Sequence, residues 1–131
     1  MNKKNLFHKK INSQRQQRVQ EILRSALNEI LIRGESKSHF LDESILTITY
    51  VDISPDLRNA RFMFIPQDLQ QIDKFLSEFN LVKKVIRKKI AEKVQLKYVP
   101  EISFCFDESI NERERIEKIL SSKKVMDDIK S

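Results

Sequence analysis

The sequence has few of the residues that build nucleotide, redox and metal sites. Among 131 residues there is one glycine, Gly34, one cysteine, Cys105, and two histidines. A single glycine excludes the glycine-rich loops that hold nucleotide phosphates and the GxxG clamp for nucleic acids. One cysteine and two histidines cannot supply a disulfide or a conventional zinc site, which needs three or four ligands. We therefore expect no cofactor.

Long apolar runs are also absent. No segment approaches the ~18 consecutive apolar residues of a membrane-spanning helix, and the N-terminus lacks the apolar core of a secretory signal. The first twenty residues contain no acidic residue, as in an organellar transit peptide, but such peptides are rich in arginine and these cations are mostly lysine. The sequence predicts a cytoplasmic protein with no membrane partner.

Positive charge is present and is unevenly distributed. The formal net charge is +6, yet residues 1–24 alone carry +6, residues 83–97 carry another +6, and the remainder carries −6. A molecule polarised in this way can direct one face towards phosphate groups. Modest basicity is equally common in proteins that bind nothing acidic, so both interpretations stay open at this point.

The first half of the chain has the pattern of a helix followed by a β-hairpin. A helix is predicted from Ser13, because apolar residues then recur every three or four positions, and Gly34 ends it. Residues 35–44 form a polar connection. Strands at 45–53 and 59–65 flank a Ser-Pro-Asp turn, which predicts an antiparallel hairpin.

The second half predicts a long helix and a third strand. Helical periodicity continues from Leu69 for some 28 residues, and such a helix would reach about 42 Å, well beyond strands of roughly 17–20 Å. We therefore expect a break or kink at Asn80 and Val82, after which a second helix begins with Lys83 and Lys84. A third strand is predicted at 101–107, and a capping-box pattern at Ser109 predicts a short last helix carrying Ile116, Ile119 and Leu120.

This order of elements predicts an α+β fold with a three-stranded sheet and helices on one face. We expect the domain to span residues 13–120. A basic flexible tail is expected at residues 1–12, and a second flexible tail at residues 121–131.

The two basic segments supply the candidate binding residues. The segment 83–97 is either a solvated helix face or a phosphate-binding surface in which several cations on neighbouring turns each neutralise a phosphate. Near the N-terminus, arginines on the first helix have planar head groups that suit phosphate oxygens, although plain surface charge explains them equally well. The candidate RNA-binding residues are Arg15, Arg18, Arg24, Lys83, Lys84, Arg87, Lys88, Lys93 and Lys97.

The sequence gives little support for a catalytic site. Asp52 and Asp56 flank the hairpin turn and could hold Mg²⁺, but aspartates in turns usually accept backbone hydrogen bonds. His8 and His39 lack an evident orienting partner, and Cys105 is most simply a packing residue. No catalytic residue and no metal site are predicted, and an RNA-processing enzyme ranks last among the hypotheses.

Several motifs together are similar to those of the bacterial ribosome-binding factor A family. The similarity spans about residues 14–120, and each of its motifs is weak when taken alone. The motifs are Arg15-Gln16-Gln17-Arg18-Val19, Thr47-Ile48-Thr49, Val51-Asp52-Ile53-Ser54-Pro55-Asp56-Leu57, Ala60, Ile86-Arg87, Leu96-Lys97-Tyr98-Val99-Pro100-Glu101-Ile102-Ser103-Phe104, Asp107 and Ser109.

The resemblance implies a type II KH-like domain without enzymatic activity. It implies a factor that binds the immature small (30S) ribosomal subunit, contacts 16S rRNA, assists late maturation including that of the 5′ end, and then leaves. The family's small-x-Gly kink aligns with Val82-Lys83-Lys84, where valine and lysine stand instead of the small residue and glycine. We expect a monomer when the protein is free. The alternative is a protein-interaction module without direct RNA contact.

Overall fold

The computed structural model of the chain describes residues 12–109. The elements are α1 (Gln14–Ile32), α2 (His39–Glu43), β1 (Leu46–Ile53), β2 (Asn59–Pro66), a 3₁₀ turn (Leu69–Gln71), α3 (Ile72–Lys93) and β3 (Glu101–Phe106). The sheet order is β1-β2-β3, with the central strand β2 antiparallel to β1 and parallel to β3. The parallel pair requires a crossover, which the long helix α3 provides. The predicted α+β class and three-stranded sheet are confirmed.

Both ends of α1 follow the sequence signals. The Ser13 hydroxyl accepts a hydrogen bond from the Gln16 backbone N–H at 3.1 Å, and the Gln16 side chain accepts one from the Ser13 N–H at 2.9 Å. This reciprocal capping box satisfies two N–H groups at the helix start. At the other end Gly34 has a φ of +67°, and the Glu35 N–H donates to the Ile30 carbonyl at 2.9 Å. The predicted glycine stop is confirmed.

The connection at residues 35–44 is more structured than predicted. It contains the five-residue helix α2, capped by the Ser38 hydroxyl, which accepts from the Leu41 N–H at 3.2 Å. Leu41 is 1% exposed and belongs to the core. A helix this short shows no apolar period, so its apolar signal was limited to Phe40 and Leu41 in an otherwise polar stretch.

The hairpin is confirmed, with an irregularity in β1. The β1–β2 register shifts between Ile48 and Tyr50, so that Thr49 is an additional residue. In the turn the Leu57 N–H donates to the Ser54 carbonyl at 2.9 Å. Leu57 itself adopts a φ of +62°, which is uncommon for a residue other than glycine.

The predicted break in the long helix is wrong. Helix α3 runs without interruption from Ile72 to Lys93, so no second helix begins at the positions assigned to the kink, Asn80 and Val82. Asn80 is exposed and Val82 is 9% exposed in the core. An exposed asparagine inside a helix costs less than ~0.7 kcal/mol, whereas an interruption would displace buried residues on both of its sides. At 22 residues the helix is also shorter than expected.

The helices pack against the sheet through an aromatic core. Helix α1 contacts β1 and α3, and α3 contacts β3. The Phe79 ring stacks on Phe104 with centroids 4.2 Å apart, and Phe64 lies 5.2 Å from Phe79. These ring contacts fix α3 across the sheet.

Some predictions fall outside residues 12–109. These are the tail at residues 1–12 except for residue 12 itself, the tail at residues 121–131, and the last helix, which carries Ile116, Ile119 and Leu120. The domain limits 13–120 accordingly stay a prediction. Within the described range, no helix is long and apolar enough to cross a membrane.

Candidate nucleic-acid interface

Helix α3 presents lysines on the side that faces away from the sheet. Its core side consists of five apolar residues between Phe75 and Ile90. At 100° per residue, Lys84 and Lys88 lie opposite that side, and both are exposed. Lys83 lies on the flank of the helix and is half-buried. The side chains of these three lysines form no hydrogen bond or ion pair with any described residue. Lys84 and Lys88 are therefore both exposed and without a polar partner in the described part of the chain.

A separate groove of about 750 Å³ lies at the start of α1. Its walls come from the first turns of α1, the hairpin turn at 56–59, and the loop 96–101 that leads into β3, with Arg87 contributed by α3. Four cationic and two acidic side chains line the groove, so its charge is positive. They are Arg15, Arg58, Arg87 and Lys97, and Asp56 and Glu101.

Arg87 holds the groove wall together. Its guanidinium donates to the Val99 carbonyl at 2.8 Å and to the Pro100 carbonyl at 3.0 Å. A third contact reaches the Glu101 carboxylate at 3.6 Å, and the side chain is 41% exposed. Because two carbonyls and a carboxylate engage its head group, Arg87 positions the loop and has little capacity left for a phosphate.

Lys93 is engaged inside the protein. Its side chain is 20% exposed and lies 3.5 Å from the Glu29 carboxylate and 3.2 Å from that of Glu35, which ties the end of α3 to the end of α1. The hydrogen bond from Lys93 lowers the pKa of Glu35, against an opposing effect of burial. Two carboxylates thus neutralise a cation that the sequence assigned to RNA binding.

The arginines of α1 divide in the same way. The Arg24 Nε donates to the Ile48 carbonyl at 3.3 Å, and its head group lies 3.8 Å from Glu21. Arg15 and Arg18 are exposed and form no such contact with described residues. Only Arg15 of these three lines the groove.

The nine predicted residues therefore separate into three groups. The structure brings Arg15, Arg87 and Lys97 together in the groove. It places Lys83, Lys84 and Lys88 on α3, and Arg18 on α1, outside the residues that line the groove. Arg24 and Lys93 lie outside the groove lining and, like Arg87, are held in intramolecular contacts.

Sequence reasoning missed two groove residues, Arg58 and Tyr98. Arg58 is a single cation in a turn, outside both basic segments, so charge counting gave no signal for it. Tyr98 is 74% exposed, and the Lys97 ammonium lies 5.6 Å from its ring centroid. The available signal was an aromatic residue directly beside a lysine in a loop.

The aspartates of the hairpin have structural roles. Asp52 is 1% exposed and forms an ion pair with Arg61 at 2.9 Å. Asp56 accepts from the Ser54 hydroxyl at 2.6 Å and from the Arg58 N–H at 3.0 Å. These hydrogen bonds, that from Ser54 first, lower the pKa of Asp56. Between residues 12 and 109 no three potential metal ligands lie together.

Comparison with known proteins identifies the family. A family model described as "Ribosome-binding factor A" matches residues 15–120. Proteins of that name from Methylorubrum extorquens and from a Bradyrhizobium species are 37% and 39% identical to the chain over 119 residues, which is 91% of this chain and 82% and 86% of theirs.

A solved structure agrees with the fold. The crystal structure of ribosome-binding factor A from Thermus thermophilus superposes with a TM-score of 0.57 at 18% identity, and it covers 68% of this chain and 92% of that one. This likeness supports the KH-like fold. The match of the family model over residues 15–120, together with the identity to the named relatives, shows that the chain belongs to the ribosome-binding factor A family.

Proposed function

We propose that this protein is an assembly factor that binds the immature small (30S) ribosomal subunit and contacts 16S rRNA. The single observation that carries the proposal is the pair Lys84 and Lys88, two exposed cations without described partners on the outer side of α3. Cations in this state release counterions from RNA when they meet phosphates, which favours binding. The relatives are named for ribosome binding, and rRNA is the polyanion of that particle.

The proposed action is a shift of RNA conformation rather than catalysis. A factor that binds one arrangement of immature rRNA more tightly than the mature arrangement increases the population of the first. It thereby assists late maturation, including processing of the 5′ end, and leaves when the preferred arrangement is gone. Phosphate contacts suit this role because they position a protein without reading sequence.

The second candidate is a protein-interaction module without direct RNA contact. Leu81 favours it, because this leucine is 74% exposed on α3 and lies on the same outer side as Lys84. Contiguous apolar surface rimmed by polar residues marks protein interfaces, and Leu81 supplies one such side chain. In this case the lysines would only keep the protein soluble.

Sedimentation through sucrose separates the two candidates. The full chain is mixed with immature small subunits, mature small subunits and whole ribosomes at two salt concentrations. RNA binding predicts preferential sedimentation with immature subunits and a steep loss at the higher salt. Binding that resists salt and survives nuclease treatment of the subunits would contradict the proposal and favour the protein-interaction module.

The maturation step has its own test. Cells depleted of the protein should accumulate 16S rRNA precursors with extended 5′ ends, as mapped by primer extension. Expression of the wild-type chain should restore the mature end, and expression of Lys84→Glu with Lys88→Glu should not. Normal 5′ ends in depleted cells would contradict the proposed role in processing.

A further inference from the structure

The groove at the start of α1 contains an exposed aromatic ring. Tyr98 is 74% exposed, although its neighbours Val99 and Pro100 are half-buried and buried. Leu96, Val99 and Val19 give the groove an apolar part beside the ring. Aromatic side chains in a positively charged groove are the platforms on which proteins stack the bases of single-stranded nucleic acids.

The cations around the ring are available to a ligand. The head groups of Arg15, Arg58 and Lys97 form no hydrogen bond or ion pair with a described residue, and the Lys97 ammonium lies 5.6 Å from the ring centroid of Tyr98. Both acidic residues of the groove are engaged: Asp56 with Ser54 and with the Arg58 backbone, and Glu101 with Arg87. With four cations against two carboxylates in its lining, the groove keeps an excess of positive charge.

The walls of the groove are fixed before any ligand arrives. The Gln16 side chain donates to the Ile53 carbonyl at 3.2 Å, which joins the start of α1 to the end of β1. The Glu101 N–H donates to the Arg58 carbonyl at 2.8 Å, which joins the hairpin turn to β3. Arg87 holds the two carbonyls next to Tyr98. A preformed site loses little conformational entropy when it binds.

We infer that this groove binds an unpaired nucleotide of single-stranded RNA, whose base stacks on Tyr98 while its phosphates contact Arg15, Arg58 and Lys97. The inference rests on the proposed function and adds a second RNA contact. This contact stacks a base on a ring, whereas the lysines of α3 bind phosphates. A volume of about 750 Å³ is in the range of small-ligand sites. Base pairing would keep a base inside its helix and away from the ring, so the groove selects single strands.

The test uses the full chain and two RNA probes, a labelled decauridylate and a ten-base-pair RNA duplex, with fluorescence anisotropy as the readout. The single strand should bind more tightly. Tyr98→Leu should weaken its binding roughly 5- to 150-fold, the usual range for the loss of one stacked base. Tyr98→Phe keeps the ring and should bind as the wild type does. Ile32→Ala is the matched control, because Ile32 is an apolar side chain that is 85% exposed and lies outside the residues that line the groove.

Tyrosine fluorescence gives an independent readout. The chain has no tryptophan and two tyrosines, and the other one, Tyr50, accepts hydrogen bonds from Asn12 and Gln20. Stacking of a base on Tyr98 should quench the emission of the wild type, and the quenching should disappear in Tyr98→Phe although this variant still binds. Unchanged quenching in Tyr98→Phe would place the base elsewhere and overturn the inference.

Equal binding of decauridylate by Tyr98→Leu and the wild type would also overturn the groove site. So would failure of the wild type to bind decauridylate while it still sediments with small subunits, and that result would leave the proposed function standing. Failure of the wild type to sediment with subunits at all would instead refute the proposed function. Circular dichroism melting of each variant verifies that the exposed substitutions leave the fold intact.

Discussion

The cations on the two sides of α3 differ in what surrounds them. On the outer side, Lys84 and Lys88 have no described partner. On the side that faces the rest of the protein, Arg87 donates hydrogen bonds to two backbone carbonyls and Lys93 forms ion pairs with two carboxylates. All four belong to one basic segment of the sequence, yet two serve the fold and two are left for a ligand. A count of charges along the chain therefore overstates the charge that is available to RNA.

The arginines of the hairpin also divide into engaged and available charges. Arg61 is paired with the buried Asp52, whereas Arg58, three residues earlier, faces the groove through the turn. Removal of an engaged charge should mainly lower stability, with only a secondary effect on phosphate binding. Removal of an available charge should mainly weaken phosphate binding, with only a secondary effect on stability.

The largest effect on stability is expected at the Asp52–Arg61 pair. Asp52→Asn removes the charge of a carboxylate that is 1% exposed and is paired with the partly exposed Arg61, and it should lower the free energy of unfolding by about 2–4 kcal/mol. The matched control is Asp56→Asn, because asparagine suits the same turn position, and its loss should stay below ~1 kcal/mol. Urea denaturation followed by circular dichroism measures both. Equal losses for the two variants would contradict the assignment.

A smaller loss is expected at Arg87. Arg87→Met keeps much of the apolar stem but leaves the Val99 and Pro100 carbonyls without their donor, which should cost about 1–2 kcal/mol at this partly exposed site. Lys84→Met on the outer side should change the stability by less than ~0.5 kcal/mol. If Lys84→Met destabilises the protein as much as Arg87→Met does, the two sides of α3 do not differ as described.

The smallest effect is a dependence on pH at Glu35. Its pKa is held below the ordinary value of 4.5, chiefly by the hydrogen bond from Lys93. A carboxyl group with a lowered pKa stabilises the folded protein above its ordinary pKa, and this contribution is lost as the pH falls through the folded value. NMR titration of Glu35 should show a higher pKa in Lys93→Met. Lys89→Met removes a more distant charge and should raise the pKa less, and a larger rise there would contradict the assignment.

The fold was largely predictable because its signals are local. Ser13, Gly34 and the turn at Ser54 each specify backbone geometry within a few residues. The continuity of α3 was not predictable from Asn80, because the burial of residues on both sides of Asn80 outweighs its weak preference for a helix end. Helix α2 was missed because five residues carry no period.

The candidate site was predictable only in part. The basic character of 83–97 is a property of the sequence, but which of its cations find partners depends on contacts across long separations. Lys93 contacts Glu29 and Glu35, which lie in a distant segment of the sequence. Arg87 contacts the loop 96–101, and the sequence of the helix does not determine where that loop lies. Arg58 joins Arg15 only through the packing of α1 against the hairpin. Such contacts form between distant parts of the sequence, so a count of charges along the chain cannot reveal them.

The salt dependence of binding to immature small subunits tests the central claim most directly. The claim is that Lys84 and Lys88 each neutralise an rRNA phosphate. Lys84→Gln with Lys88→Gln should reduce the slope of log K against log salt by roughly 1.4–1.8 in magnitude, because each neutralised phosphate contributes about 0.7–0.9. Lys74→Gln, an exposed cation in the first turns of the same helix, should leave the slope unchanged. An unchanged slope in the double variant would contradict the account.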